Sequence, residues 1–398
     1  MAIEWTPALY AEAKAILGKF NTEQRSDALQ AIQRAAKGNL SWDAVCKAFR
    51  RHGWTAANYL KNPPLVLNPV ERTERADRIK EAQKEIASLV QQLKEAKTRQ
   101  AYLDHFPAHG EPAEIFPREK GGIREMTAVA LASDWHVEET VDPESVSGRN
   151  EYNLEIAETR MRRYFEAVLW NLEHHRASKE VAIRDMVLWL GGDLMSGYIH
   201  EELAETNELA PGPTIVWLVP RLRDLIWHLL SHGGLEQLVI VCSHGNHGRT
   251  TVKRHVSNGY ANSFEWIMYR WLQEEFRNEP RVKFVVTASN HQYTEVYGKT
   301  LHFHHGDSLS YQKGVGGIGI PLLKAVPQWD QVRPAEVHHI GHFHQRRDFG
   351  RAVVNGSLIG YNAYAMEIGA SYEPPQQTMY FFDSRRGKCL DTPLWVED

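Results

Sequence analysis

The sequence predicts an α/β fold from Thr127 onward, preceded by an all-α module and one long helix. Three observations predict it. After Thr127, short apolar runs of strand character alternate with longer helical runs. Helical periodicity fills Thr6 to Leu60, and a seven-residue apolar repeat runs through Val70 to His105. The expected boundaries are 1–62 for a helix-turn-helix-like module, 63–106 for a linker and coiled-coil-like helix, 107–126 for a proline-rich connector and 127–398 for the α/β domain.

The chain has 398 residues, 42% of them hydrophobic, which is enough for a large core and more than one domain. Its formal net charge of -4 gives no chain-wide attraction to nucleic acid, so any such signal has to be local. Cys46, Cys242 and Cys389 lie far apart, which excludes a disulfide framework and a thiolate zinc site and fits a reducing compartment. The first residues include acids and no apolar run of signal type. No stretch approaches the ~20 apolar residues that span a bilayer. A cytoplasmic protein with no membrane partner is expected.

The first module reads as helices over Ala8–Lys19, Thr22–Lys37, Ser41–Arg51 and Thr55–Lys61, with Asn21 and Ser41 as N-caps and Gly38 as a C-cap. The last two, joined by His52-Gly53, have the form of a helix-turn-helix. Residues 1–62 contain nine Lys or Arg against five Asp or Glu, a formal +4 that favours a polyanionic partner. The alternative is a purely structural unit with Trp42, Phe49, Trp54 and Tyr59 as its core.

Asn62 to Pro69, with three prolines, reads as a linker. In the helix that follows, Ile79, Ile86 and Leu93 form one apolar row and Ala82, Leu89, Ala96 and Leu103 the next. That stripe suits a coiled coil on the order of 50 Å long. It serves a homodimer through residues 70–105 or lies as a strut on the rest of the chain, and the sustained heptad favours the dimer. Pro107, Pro112 and Pro117 end the helix.

In the α/β region, strands are expected at Ala128–Ala132, Met186–Leu190, Leu238–Val241, Val282–Thr287, Gln292–Val296, Leu301–Phe303 and Val337–Ile340. Helices are expected at Leu154–His175, Thr214–Leu230, Ala261–Phe276 and near Ile320–Val326. Five of the strands each run into a polar motif: Asp134-Trp135-His136, Gly192-Asp193, Gly245-Asn246-His247, His305-Gly306-Asp307 and Gly341-His342-Phe343-His344. A pair of divalent ions needs carboxylate, amide and imidazole ligands converging from several loops, with one carboxylate able to bridge. Ligands at strand ends are held by a rigid sheet while the loops leave the centre open.

This ordered set, DxH, GD, GNH, H and GHxH, resembles the calcineurin-like metallophosphoesterase superfamily over Thr127 to Asp383. The resemblance implies two facing β-sheets flanked by helices. It assigns Asp134, His136, Asp193 and His344 to one metal, and Asp193, Asn246, His305 and His342 to a second, with Asp193 bridging. A hydroxide between the ions is the implied nucleophile. Manganese is the expected metal, with iron, zinc or nickel open to the same ligand types. The resemblance gives His247 the role of stabilising the leaving group or donating its proton; mere support of Asn246 is the alternative.

Two departures bear on substrate. Ser196 and Gly248 stand where protein-phosphatase relatives carry acids, which points to the SbcD-like repair nucleases and phage-type phosphoesterases. Arg249, Lys253, Arg254 and Arg346 then read as contacts to flanking phosphates, with plain surface charge as the alternative. Tyr198 and His200 follow the GD motif in a loop placed to touch substrate. Lys313 to Gly319 reads as a mobile lip, since no βαβ context supports a dinucleotide site. Asn355-Gly356-Ser357 reads as a rim turn.

The expected activity is a metal-dependent phosphodiesterase acting on DNA or RNA. The alternatives are hydrolysis of small nucleotides or other phosphate esters, and a non-catalytic DNA-binding scaffold. Nucleic acid is the expected partner. An SbcC-like ATPase partner is disfavoured, because no clear docking helices follow the last expected strand.

Overall fold

The computed structural model describes residues 5–20, 24–51, 113–118, 123–178, 180–310 and 317–397. The segment Thr55–Lys61, the Asn21 cap, the 63–106 linker and heptad helix, and Lys313 to Gly316 lie outside the described residues. The chain divides into two units, Met1–Gln100 and Ala101–Asp398. No helix among the described residues is long and apolar enough to cross a membrane.

In the first unit, α1 spans Pro7–Leu17, α2 Arg25–Ala35 and α3 Trp42–Arg50. Thr6 Oγ1 accepts from Leu9 N and Ser41 Oγ from Ala44 N, so both helices start on side-chain caps. The end of α2 departs from expectation. Lys37, at φ 48°, takes the left-handed position, and Gly38 follows it, donating to Gln33 O at 3.1 Å. Of the expected core, Phe49 is buried, together with Tyr10, Leu17, Ile32 and Val45, and Trp54 and Tyr59 lie outside the described residues. Trp42 stays half-buried at its edge with the Arg25 guanidinium over its ring. Tyr10 fits the centre because its hydroxyl reaches Ala48 O at 3.0 Å, satisfying the one polar atom it brings.

The second unit is built on two six-stranded sheets. Its strands are β1 (Glu114–Ile115), β2 (Arg124–Ala132), β3 (Val181–Leu190), β4 (Gln237–Cys242), β5 (Val282–Val285), β6 (Gln292–Val296), β7 (Lys299–His304), β8 (Val337–Ile340), β9 (Arg347–Asp348), β10 (Ala352–Val354), β11 (Gln376–Asp383) and β12 (Gly387–Trp395). One sheet has the order β12-β11-β2-β3-β4-β5 and the other β1-β6-β7-β8-β10-β9. The helices are α4 (Leu154–Arg176), α5 (Leu203–Thr206), α6 (Pro211–His232), α7 (Phe264–Glu275), α8 (Gly319–Val332) and α9 (Ala363–Glu367).

Side-chain alternation along the strands divides the core into layers. Ala128, Ala130, Met186, Leu188 and Ile240 face α4, α6 and α7, meeting Tyr164, Leu222 and Tyr269. Val129, Leu131, Val187, Trp189 and Val241 point the other way, onto Phe303, Val337 and Val353 of the second sheet. Ile318 and Leu322, at the start of α8, cover the far side of that sheet over Ile340 and Val354. The result is a two-sheet sandwich with helices on both outer faces. Strands β2, β3 and β4 are continuous apolar runs because both of their faces are covered.

The registers bring the motifs to one edge. Ala132, Leu190 and Cys242 align across β2, β3 and β4, so the chain leaves all three parallel strands at one level. In the other sheet, His304 aligns with Ile340, and Ile340 with Val354. The pair β11 and β12, absent from the sequence reading, adds antiparallel strands beside β2.

Candidate metal centre

The backbone at the strand ends is bent to aim side chains inward. Nine described non-glycine residues have positive φ, and five of them are Asp134 (57°), His136 (48°), Asp193 (49°), His342 (70°) and His344 (53°). Each such residue costs on the order of 1–3 kcal/mol and persists only where its surroundings enforce it. Two glycines are required by crowding. A Cβ on Gly245 would stand 2.1 Å from Asp193 Oδ1, and one on Gly341 2.6 Å from Asp134 Oδ2.

Donor atoms of Asp134, His136 and His344 lie within 4.8 Å of one another, as do those of Asp193, His305 and His342. A third such set, His136, Asp193 and His247, joins the first two. His342 N donates to Asp134 Oδ1 at 2.9 Å, which ties the loop after β8 to the loop after β2. The Oδ1 atom of Asn246 is buried without a hydrogen-bond partner. His305 Nε2 lies 2.8 Å from Asp193 Oδ2 yet off the line a hydrogen bond needs, so the two atoms face a shared space. Orphaned buried acceptors, carboxylates and imidazoles aimed into one space fit a pair of divalent cations.

The electrostatics mark the same place for positive charge. Burial alone would raise the Asp193 carboxyl, but the neighbouring His305 and His247 hold it well below the usual carboxylate range. Burial likewise opposes a charged His305, and Asp193, Asp134 and Asp307 overcome it, raising its pKa to about 10. Burial, with the His247 and His344 charges, pushes His136 well below its ordinary value.

Several residues that support the centre carry no motif. His136 Nδ1 donates to Ser196 Oγ at 2.8 Å, and that hydroxyl donates to Glu139 Oε2 at 2.7 Å, which leaves His136 Nε2 for the centre. His305 Nδ1 donates to Gly191 O at 2.8 Å with the same effect. Glu265, fully buried in the first turn of α7, accepts from Leu194 N and Gly245 N at 2.7 Å each, clasping two motif loops together. Burial and the Asp193 charge push its carboxyl up to about 8. Glu138 Oε1 accepts from Ser196 N and Gly197 N. Ser196 was legible as a departure from the phosphatase pattern, but its role as the His136 acceptor was not.

Neither a family model nor a curated protein matches the chain. Solved structures that resemble it include wild-type Vps29 from Entamoeba histolytica complexed with zinc, at 11% identity and a TM-score of 0.28 over 67% of this chain and 99% of that one. Vacuolar protein sorting 29 from Cryptosporidium parvum matches at 13% identity and a TM-score of 0.27, over 67% and 96%. The hypothetical protein PH1004 from Pyrococcus horikoshii matches at 10% identity and a TM-score of 0.31, over 68% and 89%.

The remaining sequence candidates stand around the centre in different ways. His247 is half-buried, its N donating to Asp193 Oδ1 and its Nδ1 to Ser196 O, so Nε2 is its open nitrogen. Its ring meets that of His136 edge-on at 4.6 Å, and His200 lies 6.1 Å beyond. Tyr198 and Lys253 are exposed. Arg254 pairs with Asp307 at 2.6 Å. Arg249 is drawn inward instead: its guanidinium donates to the carbonyls of Thr251, Asn246 and Val252 and braces its own loop. Arg346 is paired with Asp391 of β12.

Proposed function

We propose that the chain is a dinuclear metal-dependent phosphodiesterase of the calcineurin-like superfamily that cleaves DNA or RNA. The observation that carries this reading is the meeting of two three-residue donor groups around Asp193 on left-handed backbone. Strain of that kind, at five of seven expected ligands, goes with a site built for chemistry rather than for packing.

In this reading Asp134, His136 and His344 hold one cation, Asn246, His305 and His342 the other, and Asp193 both. Two divalent ions bound there supply an activated water and offset the charge of a phosphate ester. Ser196 and the Gly191 carbonyl accept the Nδ1–H groups of His136 and His305 and so aim their Nε2 atoms at the centre, where a bound cation would displace the His305 Nε2 proton. His247, with Nδ1 anchored on Ser196 O, presents Nε2 toward the leaving oxygen and delivers its proton there. Arg254 and Lys253 bind phosphate beside the centre, while Tyr198 and His200 form its rim.

The test is hydrolysis of bis-p-nitrophenyl phosphate and of p-nitrophenyl phosphate with manganese, together with nicking of plasmid DNA. Diester cleavage with little monoester cleavage is expected, and plasmid nicking, whose leaving group is a sugar alkoxide, should fall about 10²–10⁴-fold in His247→Ala for a lost general acid. Preference for the monoester would favour a small phosphate compound as substrate. No hydrolysis of either would favour a binding protein.

A further inference from the structure

A cleft beside the metal centre deepens the phosphodiesterase reading, on which the following inference rests. Two cavities adjoin there. The inner one is lined by His244, Asn246, Arg254, Asn290 and Asp307 among others. The outer one, about 400 Å³, is lined by Arg254, Ser257, Asn290, His291, His304 and Ser308 among others. Arg254 and Asn290 belong to both, so the outer cleft opens off the space around Asn246.

The outer cleft has the size of a small-molecule site, for which about 300–1,000 Å³ is usual. Among the described residues its lining holds one cation, at the inner mouth, and no carboxylate. Beside the apolar Val256 and Ala288, the rest is hydroxyl, amide and imidazole, groups that hydrogen-bond an uncharged heterocycle and sugar. The floor is fixed in advance. His291 N donates to Ser289 Oγ and Ser289 N to Thr287 Oγ1, both at 3.0 Å. The His291 ring stacks on His302 with centroids 5.1 Å apart and meets Trp329 edge-on. Burial, with the Arg254 charge, holds His291 below its ordinary range, so this ring is neutral near pH 7. A rigid, uncharged floor with a single cation at the entrance matches a nucleoside joined to a phosphate.

We propose that the outer cleft seats the nucleoside attached to the scissile phosphate, with Arg254 at the junction facing that phosphate. The enzyme then selects nucleoside diesters over simple diesters. Arg254 shares its charge with Asp307 at 2.6 Å, which positions it without a substrate present.

The experiment compares kcat/KM, with manganese, for three chromogenic diesters: the 5′- and 3′-p-nitrophenyl phosphates of thymidine, and bis-p-nitrophenyl phosphate. Ser257→Phe and Ser308→Phe fill the cleft from exposed positions, where a larger side chain is compatible with folding. The expected result is an about tenfold fall in the ratio of thymidine diester to simple diester activity in each variant, the scale of one lost base contact. The isomer that shows the fall tells which side of the phosphate enters the cleft. An unchanged ratio for both isomers in both variants overturns the nucleoside subsite while leaving the phosphodiesterase reading in place. Failure of the wild-type chain to cleave any of the three removes that reading and this inference with it.

Discussion

Replacing Ser196 with alanine tests whether the support of His136 governs the centre. Ser196 is fully buried and His136 is 2% exposed, so water does not readily take over the contact. The substitution removes the 2.8 Å acceptor of Nδ1–H and the donor to Glu139 Oε2. The next acceptor, Glu139 Oε2, stands 3.7 Å from Nδ1, too far for a hydrogen bond. A stranded buried N–H costs about 1–3 kcal/mol, and His136 escapes part of that by moving its proton to Nε2. A proton on Nε2 blocks the atom expected to ligate, so the cost appears as about 10- to 100-fold weaker manganese binding. Isothermal titration of the chelated, dialysed protein measures it. Thr294→Val is the matched control, since Thr294 is fully buried and donates to Ala113 O at 2.6 Å, outside the motif loops. It should lower stability without weakening manganese binding. Affinity within twofold of wild type for folded Ser196→Ala would refute the tautomer argument.

Chelation should lower the thermal midpoint of the second unit, and manganese at a hundred times its dissociation constant should restore about 2.7 kcal/mol. A midpoint indifferent to manganese, zinc and chelator would count against the metal centre. Gly245→Ala should abolish that shift, because its Cβ would stand 2.1 Å from Asp193 Oδ1; a variant that keeps the full shift would show that Asp193 does not hold the ion. His339 tests pH dependence. Burial pushes its folded pKa down to about 3, below an unfolded value near 6.5, so its contribution is complete above pH 6.5 and is lost as pH falls below it, by up to about 1.4 kcal/mol per unit. His339→Phe keeps the stacks on Phe303 and Tyr380 and removes the titrating group. Urea midpoints should then fall less steeply between pH 7.5 and 5.5, and an unchanged slope would discount His339.

The part of this molecule legible in sequence is the part that obeys local rules. Strands β6 and β8 were read to the residue, and α4 to within one, because period and capping are written within a few positions. The motifs stood out because hard ligands cluster at strand ends, where the shared register of β2, β3 and β4 then carries them to one edge. What sequence could not give is the set of side chains that make the strained backbone tolerable. Gln377 of β11 is the clearest case. It lies 243 positions after Asp134 and in no motif, yet its Oε1 accepts from Ser133 N and Asn355 Nδ2, and its Nε2 donates to Ser133 O and Gly356 O. Asn355 Nδ2 in turn donates to Ser133 Oγ, which contacts Asp134 Oδ2 at 2.5 Å. The left-handed turn at Asp134 is thus braced by the amides of Gln377 on β11 and of Asn355 just after β10. Such a role is invisible to spacing, because a glutamine at the polar start of a strand acquires meaning only when antiparallel pairing sets Thr378 opposite Leu131. The rim turn Asn355-Gly356-Ser357 changes meaning for the same reason: it braces the first ligand from behind.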